Sequence, residues 1–429
     1  MQSGIKTSTN IKIPLSFILF GLAAFVFAQW ILFVESGELV SGQFRIPAVW
    51  MSAHLLILGF CVMIPMGAMY QLVPVAFLTP VWNQTFGFIQ FFVTASGIAV
   101  FSLLLGFRTN IAVYGGALAV IGVLMFIFQM IKTLQKQKTK NVMSRFVCAA
   151  LLCFLLTITA GFLLAWNLSY GGILKHDSIL YSHITFGTAG WFTNLIFGFS
   201  YKLVPMFSLS HGFSMKWAKP SFLTYTAGLT VTIIAYWANR FPNLLTAGFL
   251  LLFLGFLFFV LDMKEILDKR MKKQLDEPFV FSLTAIANGF MIHILAALFV
   301  IFGYNSYEAW SWLIYLYITT WILFSIFGYL YKIVPFLWWT HKYSDKIGKE
   351  KVPTLKDMMN IRLGVILYWL FIVSTVGIII SVSLQSGIML MIFQGLFSLT
   401  SVIYVVSIIH VLIKKTCRNR AVKGVFLMT

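Results

Sequence analysis

Apolar side chains run along this chain in long stretches broken by short polar ones. A bilayer core takes roughly 20 apolar residues per helix. On that ruler the pattern predicts twelve spans. The first four cover about 12–34, 48–76, 85–107 and 110–131. The next four cover about 146–167, 178–208, 221–238 and 243–263. The last four cover about 279–302, 310–339, 361–384 and 386–413. The expected fold is an all-α integral membrane protein with no second domain. The longest loop, roughly His341 to Asn360, has mixed charges and Pro353 and reads as solvated.

One short pattern, G-x-x-Y-x-[LI]-V-P, occurs three times at a nearly fixed spacing. Its fixed positions are Gly67, Tyr70 and Pro74, then Gly198, Tyr201 and Pro205, then Gly328, Tyr331 and Pro335. The tyrosines are 131 and 130 positions apart. A long fixed period dictates architecture before any other feature. It predicts three pseudo-repeats of four helices, about 12–131, 146–263 and 279–413, with the motif ending the second helix of each. Gly97 and Gly228 both follow their motif proline by 23 positions, and Gly377 follows Pro335 by 42 across a longer loop. Small residues at such places let helix backbones approach closely in lipid.

Within the motif, glycine and tyrosine lie three apart and share a helix face. The proline is expected to stop or bend the helix, and Lys202 and Lys332 to snorkel to headgroups. The motif reads as a structural corner made three times. The competing reading is a proton or ion route entered through these lysines. No acidic residue lies deep in a span to continue it; Glu35 and Asp262, the nearest, lie at span ends.

Only 10% of the 429 residues are charged, against roughly 25% in soluble proteins. The net charge is +19, which by itself would suit a nucleic-acid partner. The positions of the charges point elsewhere. With the N-terminus inside, 25 of the 31 lysines and arginines fall in cytoplasmic segments. Only Arg45, Arg108, Lys175 and Arg240 fall outside. This asymmetry predicts both termini in the cytoplasm, faces the excess charge to an anionic leaflet, and leaves no role for nucleic acid. The run after Lys6 and Lys12 lacks a small-residue cleavage site and reads as a retained first span. Cys61, Cys148, Cys153 and Cys417 have no C-x-x-C spacing, so neither a disulfide framework nor a zinc site is indicated. The lipid bilayer is the partner that composition implies, and a bacterial inner membrane suits the charge bias.

Histidines carry the sharpest candidate chemistry. His176, His211 and His341 fall in loops and His410 near the inner end of the last span. His54, His183 and His293 lie inside spans, where ionisable residues are functional candidates by default. At 1.5 Å per residue their depths from the outer ends are roughly 9, 8 and 14 Å. His54 and His183 stand 16 and 18 residues before their motif tyrosines. Neutral imidazole is a usual ligand of haem iron and of copper. The three are therefore candidate cofactor and metal ligands. The plainer reading is three packed histidines, each bonded to a helix carbonyl or a hydroxyl.

Three arcs of four helices with histidines at the outer ends of second helices resemble subunit I of the haem–copper oxidase superfamily. The segment His54-Leu-Leu-Ile-Leu-Gly59 with Tyr70-Gln-Leu-Val-Pro74 resembles helix II of the cbb-type oxidases. The chain also looks like NnrS, a haem- and copper-containing membrane protein of the nitric oxide response. The resemblance covers nearly the whole chain as architecture and is confined to spans 2 and 6 as motif. It implies an axial haem ligand at His54 and a copper ligand on the helix of His183. It also requires a histidine pair on helix VII and two haem ligands on helix X. Ser221 to Ala238 and Trp310 to Trp339 contain none; Tyr315 and Leu313 stand at the matching places on span 10. His293 lies outside the family pattern, and with Met51 and Met291 is a candidate replacement partner. The resemblance thus implies haem, with copper as a further option, in nitric oxide response, redox sensing or electron transfer. An electron donor or respiratory partner goes with that role. A haem-free transporter or assembly factor is the alternative, and a working oxygen or nitric oxide reductase fits least.

Overall fold

A computed structural model describes residues 9–238 and 242–413. Lys6, Arg240, Cys417 and the basic stretch from Lys414 to Lys423 lie outside the described residues. Among the described residues the secondary structure is helical, with no strand. The long helices are α1 (Lys12–Val34), α2 (Pro47–His54, Leu55–Val62 and Met63–Phe77 in one run), α3 (Gln84–Phe107) and α4 (Ala112–Leu134). They continue with α5 (Val142–Tyr170), α6 (His176–Thr185, Phe186–Phe192 and Thr193–Ser208), α7 (Ala218–Trp237) and α8 (Pro242–Asp268). The last are α9 (Glu277–Ile301), α10 (Tyr307–Leu316, Tyr317–Leu323 and Phe324–Tyr343), α11 (Ile361–Ser383) and α12 (Gly387–Ile413).

Ten of these are long and apolar enough to cross a membrane. The other two are α6 and α7, whose hydroxyl, histidine and lysine side chains lower their apolarity. The loop expected to be plain between spans 10 and 11 holds a short helix, Leu355–Met358, with a capping box from Thr354 and Asp357. Elsewhere starts are set by side chains that satisfy free amides: Asn83 accepts from the Phe86 amide, and Asn141 and Ser144 cap one another's backbone.

The three motif helices share a feature that hydrophobic pattern does not reveal. Each contains a π-helical stretch, Leu55–Val62, Phe186–Phe192 and Tyr317–Leu323. Their first residues are 131 positions apart, matching the sequence period. Such wide turns are rare and gather at functional sites.

The motif residues explain why the pattern is strict. A Cβ on Gly67 would sit 2.7 Å from Phe17 Cβ, and one on Gly328 would sit 2.3 Å from Ser282 Oγ. The glycine of each motif is where the helix presses on α1, α5 or α9. The tyrosines hold the other side. Tyr70 donates to Gln90 Oε1 at 3.0 Å, Tyr201 to Asp262 Oδ2 at 3.0 Å, and Tyr331 pairs with Ser407 Oγ at 2.9 Å. Asp262 is fully buried, and its other oxygen accepts from the Trp217 amide. It is a tied structural carboxylate at that end of α8.

The proline does not stop the helix as expected. Pro74 and Pro205 lie inside helices that run three residues further, to left-handed Leu78 and Leu209, and α10 continues eight past Pro335. A proline removes one amide from the ladder. In α2 the freed acceptor, Tyr70 O, takes a hydrogen bond from Thr9 Oγ1 at 2.9 Å. Nor does Lys332 snorkel freely. It pairs with Asp276, whose other oxygen holds Lys272 at 2.7 Å. Lys202 is exposed.

Gly97 and Gly228 behave as a pair. Their Cβ positions fall 2.4 Å from Ala119 N and 2.6 Å from Leu252 N, so α3–α4 and α7–α8 meet backbone to backbone. Gly377 differs: the Phe393 ring covers it. First and last helices also meet. Gln394 donates to Gln29 Oε1 at 3.1 Å and Ser398 to Gln29 O at 2.9 Å, all buried.

Candidate functional site

All three span histidines are anchored through Nδ1 to a main-chain carbonyl. His54 bonds Trp50 O at 2.8 Å, His183 bonds Thr157 O at 2.9 Å, and His293 bonds Gly289 O at 2.7 Å. A carbonyl only accepts, so each Nδ1 carries the proton and the neutral ring leaves a lone pair on Nε2. This anchoring is what a packed histidine does. It is also the arrangement that orients metal-binding imidazoles.

Their Nε2 atoms then part company. His293 Nε2 accepts from Tyr225 OH at 3.2 Å, so its neutral ring is fully paired. Beyond Tyr225 the polar chain continues: Tyr317 OH bonds Thr193 Oγ1 at 2.6 Å, which also accepts from Trp321 Nε1 at 3.1 Å. His54 and His183 have no hydrogen-bond partner at Nε2 among the described residues.

His54 and His183 come from different helices, and Phe101, beside the first, and Ala165, on the helix packed against the second, both border the Cβ position of Gly116. The His54 ring meets Phe101 of α3 edge to face at 5.1 Å. His183 lies against α5, where a Cβ on Gly161 would be 2.8 Å from its Cε1. Phe101 and Ala165, one turn beyond Gly161, share a small apolar cluster with Trp50. The sequence treats the two histidines as near equivalents. Measured from the π-helical stretches they are two residues out of step: Ser52 stands where His183 does, and Thr185 where His54 does. Two residues turn a helix by about 200°. The offset puts the two histidines on opposite faces of their own helices, His54 toward Phe101 of α3 and His183 toward α5. Ser52 makes the matching contact, donating to Ala28 O of α1 at 2.8 Å as His183 does to Thr157 O of α5.

His293 belongs elsewhere. It lines a cavity of about 600 Å³ bounded by α6, α7, α8, α9 and α10. Among the described residues no three His, Cys, Asp or Glu side chains gather into a group able to hold a metal ion, so the three histidines do not form one centre. Met291 is 53% exposed, on the side of α9 away from His293. Met51 packs its sulfur over Gly106. Sequence reading missed Tyr225 and Tyr317 as partners of His293. The available signal was two tyrosines within predicted spans, but nothing in periodicity aims them at one histidine. No family model matches this chain, and no curated protein matches it.

Proposed function

We propose that this chain is a twelve-span membrane protein of three four-helix units that holds a haem between His54 and His183. Its role is electron transfer, redox sensing or nitric oxide response, served by a respiratory electron donor. The observation that carries the reading is the pair of carbonyl-anchored imidazoles with no hydrogen-bond partner at Nε2 among the described residues, on helices whose neighbours Phe101 and Ala165 share one apolar cluster. His54 and His183 are the residues that would hold a haem iron, since neutral imidazole is a usual haem ligand. They do not complete a three-ligand copper centre, and His293, paired with Tyr225, lines a separate cavity. Bound haem supplies one-electron chemistry. The chain's own part is to fix both rings through Trp50 O and Thr157 O and to exclude water with Phe101 and the α5 backbone. Held by two such imidazoles, a haem would serve carrying or sensing rather than oxygen reduction. The missing histidines on α7 and α10 point the same way.

Crossing by α6 and α7 is favoured by their packing: α7 lies along α8 through Gly228, and α6 against α5 through Gly198. A small apolar cavity of about 80 Å³ among α2, α6 and α10 supports threefold order. It is lined by Ile64, Leu195 and Ile326, each 131 residues from the last. The charge bias favours a bacterial inner membrane with both termini cytoplasmic.

The test is spectroscopic. Protein purified from a haem-replete host is expected to show a Soret band and reduced-minus-oxidised α and β bands, with iron but no copper by metal analysis. His54→Ala and His183→Ala should each lose or alter them. Wild-type protein without haem would sink the reading, and spectra indifferent to both substitutions would sink the ligand assignment.

A further inference from the structure

We infer that the cavity under His293 is a binding site for an anionic amphiphile with a flat, unsaturated body. The inference does not rest on haem at His54 and His183. At about 600 Å³ the cavity falls in the usual range for small-molecule sites, roughly 300–1,000 Å³. Its floor and walls are mostly rings and aliphatic chains, with Tyr236, Phe249, His293, Trp310 and Tyr317 among them, and with uncharged polar side chains such as Thr188 and Ser311 between. Flat bodies pack well on such walls. Arg45 is its charged lining residue, in the loop before α2. The guanidinium stacks 5.5 Å over the Tyr307 ring, and no carboxylate pairs with it among the described residues.

This distribution of charge sets the ligand's chemistry and its orientation. An exposed, unpaired arginine offers a planar fork that matches carboxylate or phosphate oxygens. The floor offers no charge to meet another. His293 is paired with Gly289 O and Tyr225 OH, and the Tyr236 and Tyr317 hydroxyls are bonded to Thr185 and Thr193. A charge carried to that depth would be unpaired and costly. The ligand therefore keeps its anion at Arg45 and puts its apolar body between α8, α9 and α10. A free aromatic acid and an anionic lipid both answer this description.

The probe is anthracene-2-carboxylate, with its methyl ester as neutral match. Each is titrated calorimetrically into the full chain in phosphatidylcholine nanodiscs, with empty nanodiscs as blank. The acid is expected to bind saturably at one site per chain. Arg45→Gln should weaken the acid about tenfold and leave the ester unchanged. Ala296→Phe, which fills the middle of the cavity, should abolish both; Ser311→Phe, near the mouth, does the same should the first variant fold poorly. Repeating the titration in phosphatidylglycerol nanodiscs separates the sources: weaker apparent binding identifies a lipid headgroup as occupant, and unchanged binding a free acid. Binding that survives both filling substitutions, or acid and ester weakened alike by Arg45→Gln, overturns the site. So does loss of haem from Ala296→Phe with full haem in His54→Ala, which would make the cavity the haem pocket and leave His54 without its role.

Discussion

Replacing Gly97 by alanine tests the packing that positions everything else. In an isolated helix the change stabilises, because alanine loses less backbone entropy than glycine, by about 0.5–1 kcal/mol. Here the new Cβ would lie 2.4 Å from Ala119 N, 2.6 Å from Ala119 Cα and 2.7 Å from Leu118 C. All three are backbone atoms, so no rotamer change relieves the clash and α3 and α4 must separate. Overpacking of this kind costs about 1–3 kcal/mol, and loss of contacts along the separated helices adds to it. Subtracting the propensity gain leaves a net cost of about 1–2 kcal/mol. For a chain of this length, with about 2.1 cal/mol/K of unfolding entropy per residue, that lowers an apparent melting midpoint by about 1–2 °C. Gly228→Ala should cost the same, since its Cβ meets Leu252 N at 2.6 Å. Gly37 is the control: it is helical, and nothing lies within 4 Å of its Cβ position. Gly37→Ala should melt at or slightly above wild type. The assay is intrinsic fluorescence on heating in one detergent at one scan rate. A Gly97→Ala midpoint equal to that of Gly37→Ala would refute the reasoning.

Other outcomes follow from the same geometry. Tyr201→Phe leaves a buried oxygen of Asp262 without its donor and should destabilise by about 1–3 kcal/mol, more than Tyr331→Phe, whose partner Ser407 is only half-buried; chemical denaturation of the two variants ranks them. Burial pushes the Asp276 carboxyl up, but hydrogen bonds from Lys272 and Lys332 prevail and hold it below the usual carboxylate range. A depressed folded-state value gives stability that is present above about pH 4 and lost as pH falls through the folded value; Asp276→Asn should flatten that acid limb in a pH series of melting midpoints. Gln29→Ala should loosen the α1–α12 seam and raise amide exchange there before other helices respond, and uniform exchange would count against the seam. Gly161→Val should push the His183 ring aside and shift a haem spectrum while both ligands remain, and an unshifted spectrum would separate His183 from the haem.

Much of the fold could be read from the chain, for a physical reason. A bilayer demands long apolar helices, and the ten helices long and apolar enough to cross one are legible without any knowledge of packing. The motif was legible as a repeat because Gly67, Gly198 and Gly328 each press on a neighbouring helix, where a Cβ has no room at Gly67 and Gly328 and little at Gly198. Other features needed coordinates. The π-helical turns widen the backbone without altering composition, so residues 55–62 read like any apolar helix. Pro74 looked like a terminator because sequence cannot show Thr9 arriving to satisfy Tyr70 O. At the site, a shared position in the outer half of the bilayer grouped His54, His183 and His293, but depth is one coordinate of three. Rotation about each helix axis separates them, turning His293 onto Tyr225 and leaving His54 and His183 with open Nε2 atoms.

Electron paramagnetic resonance of the oxidised, purified protein addresses the central claim most directly. Two histidine ligands on one haem predict a low-spin ferric signal in wild type. That signal should convert to high spin or vanish in His54→Ala and in His183→Ala, and persist in His293→Ala. Protein that carries no haem, or a low-spin signal that survives both of the first two substitutions, would contradict the account.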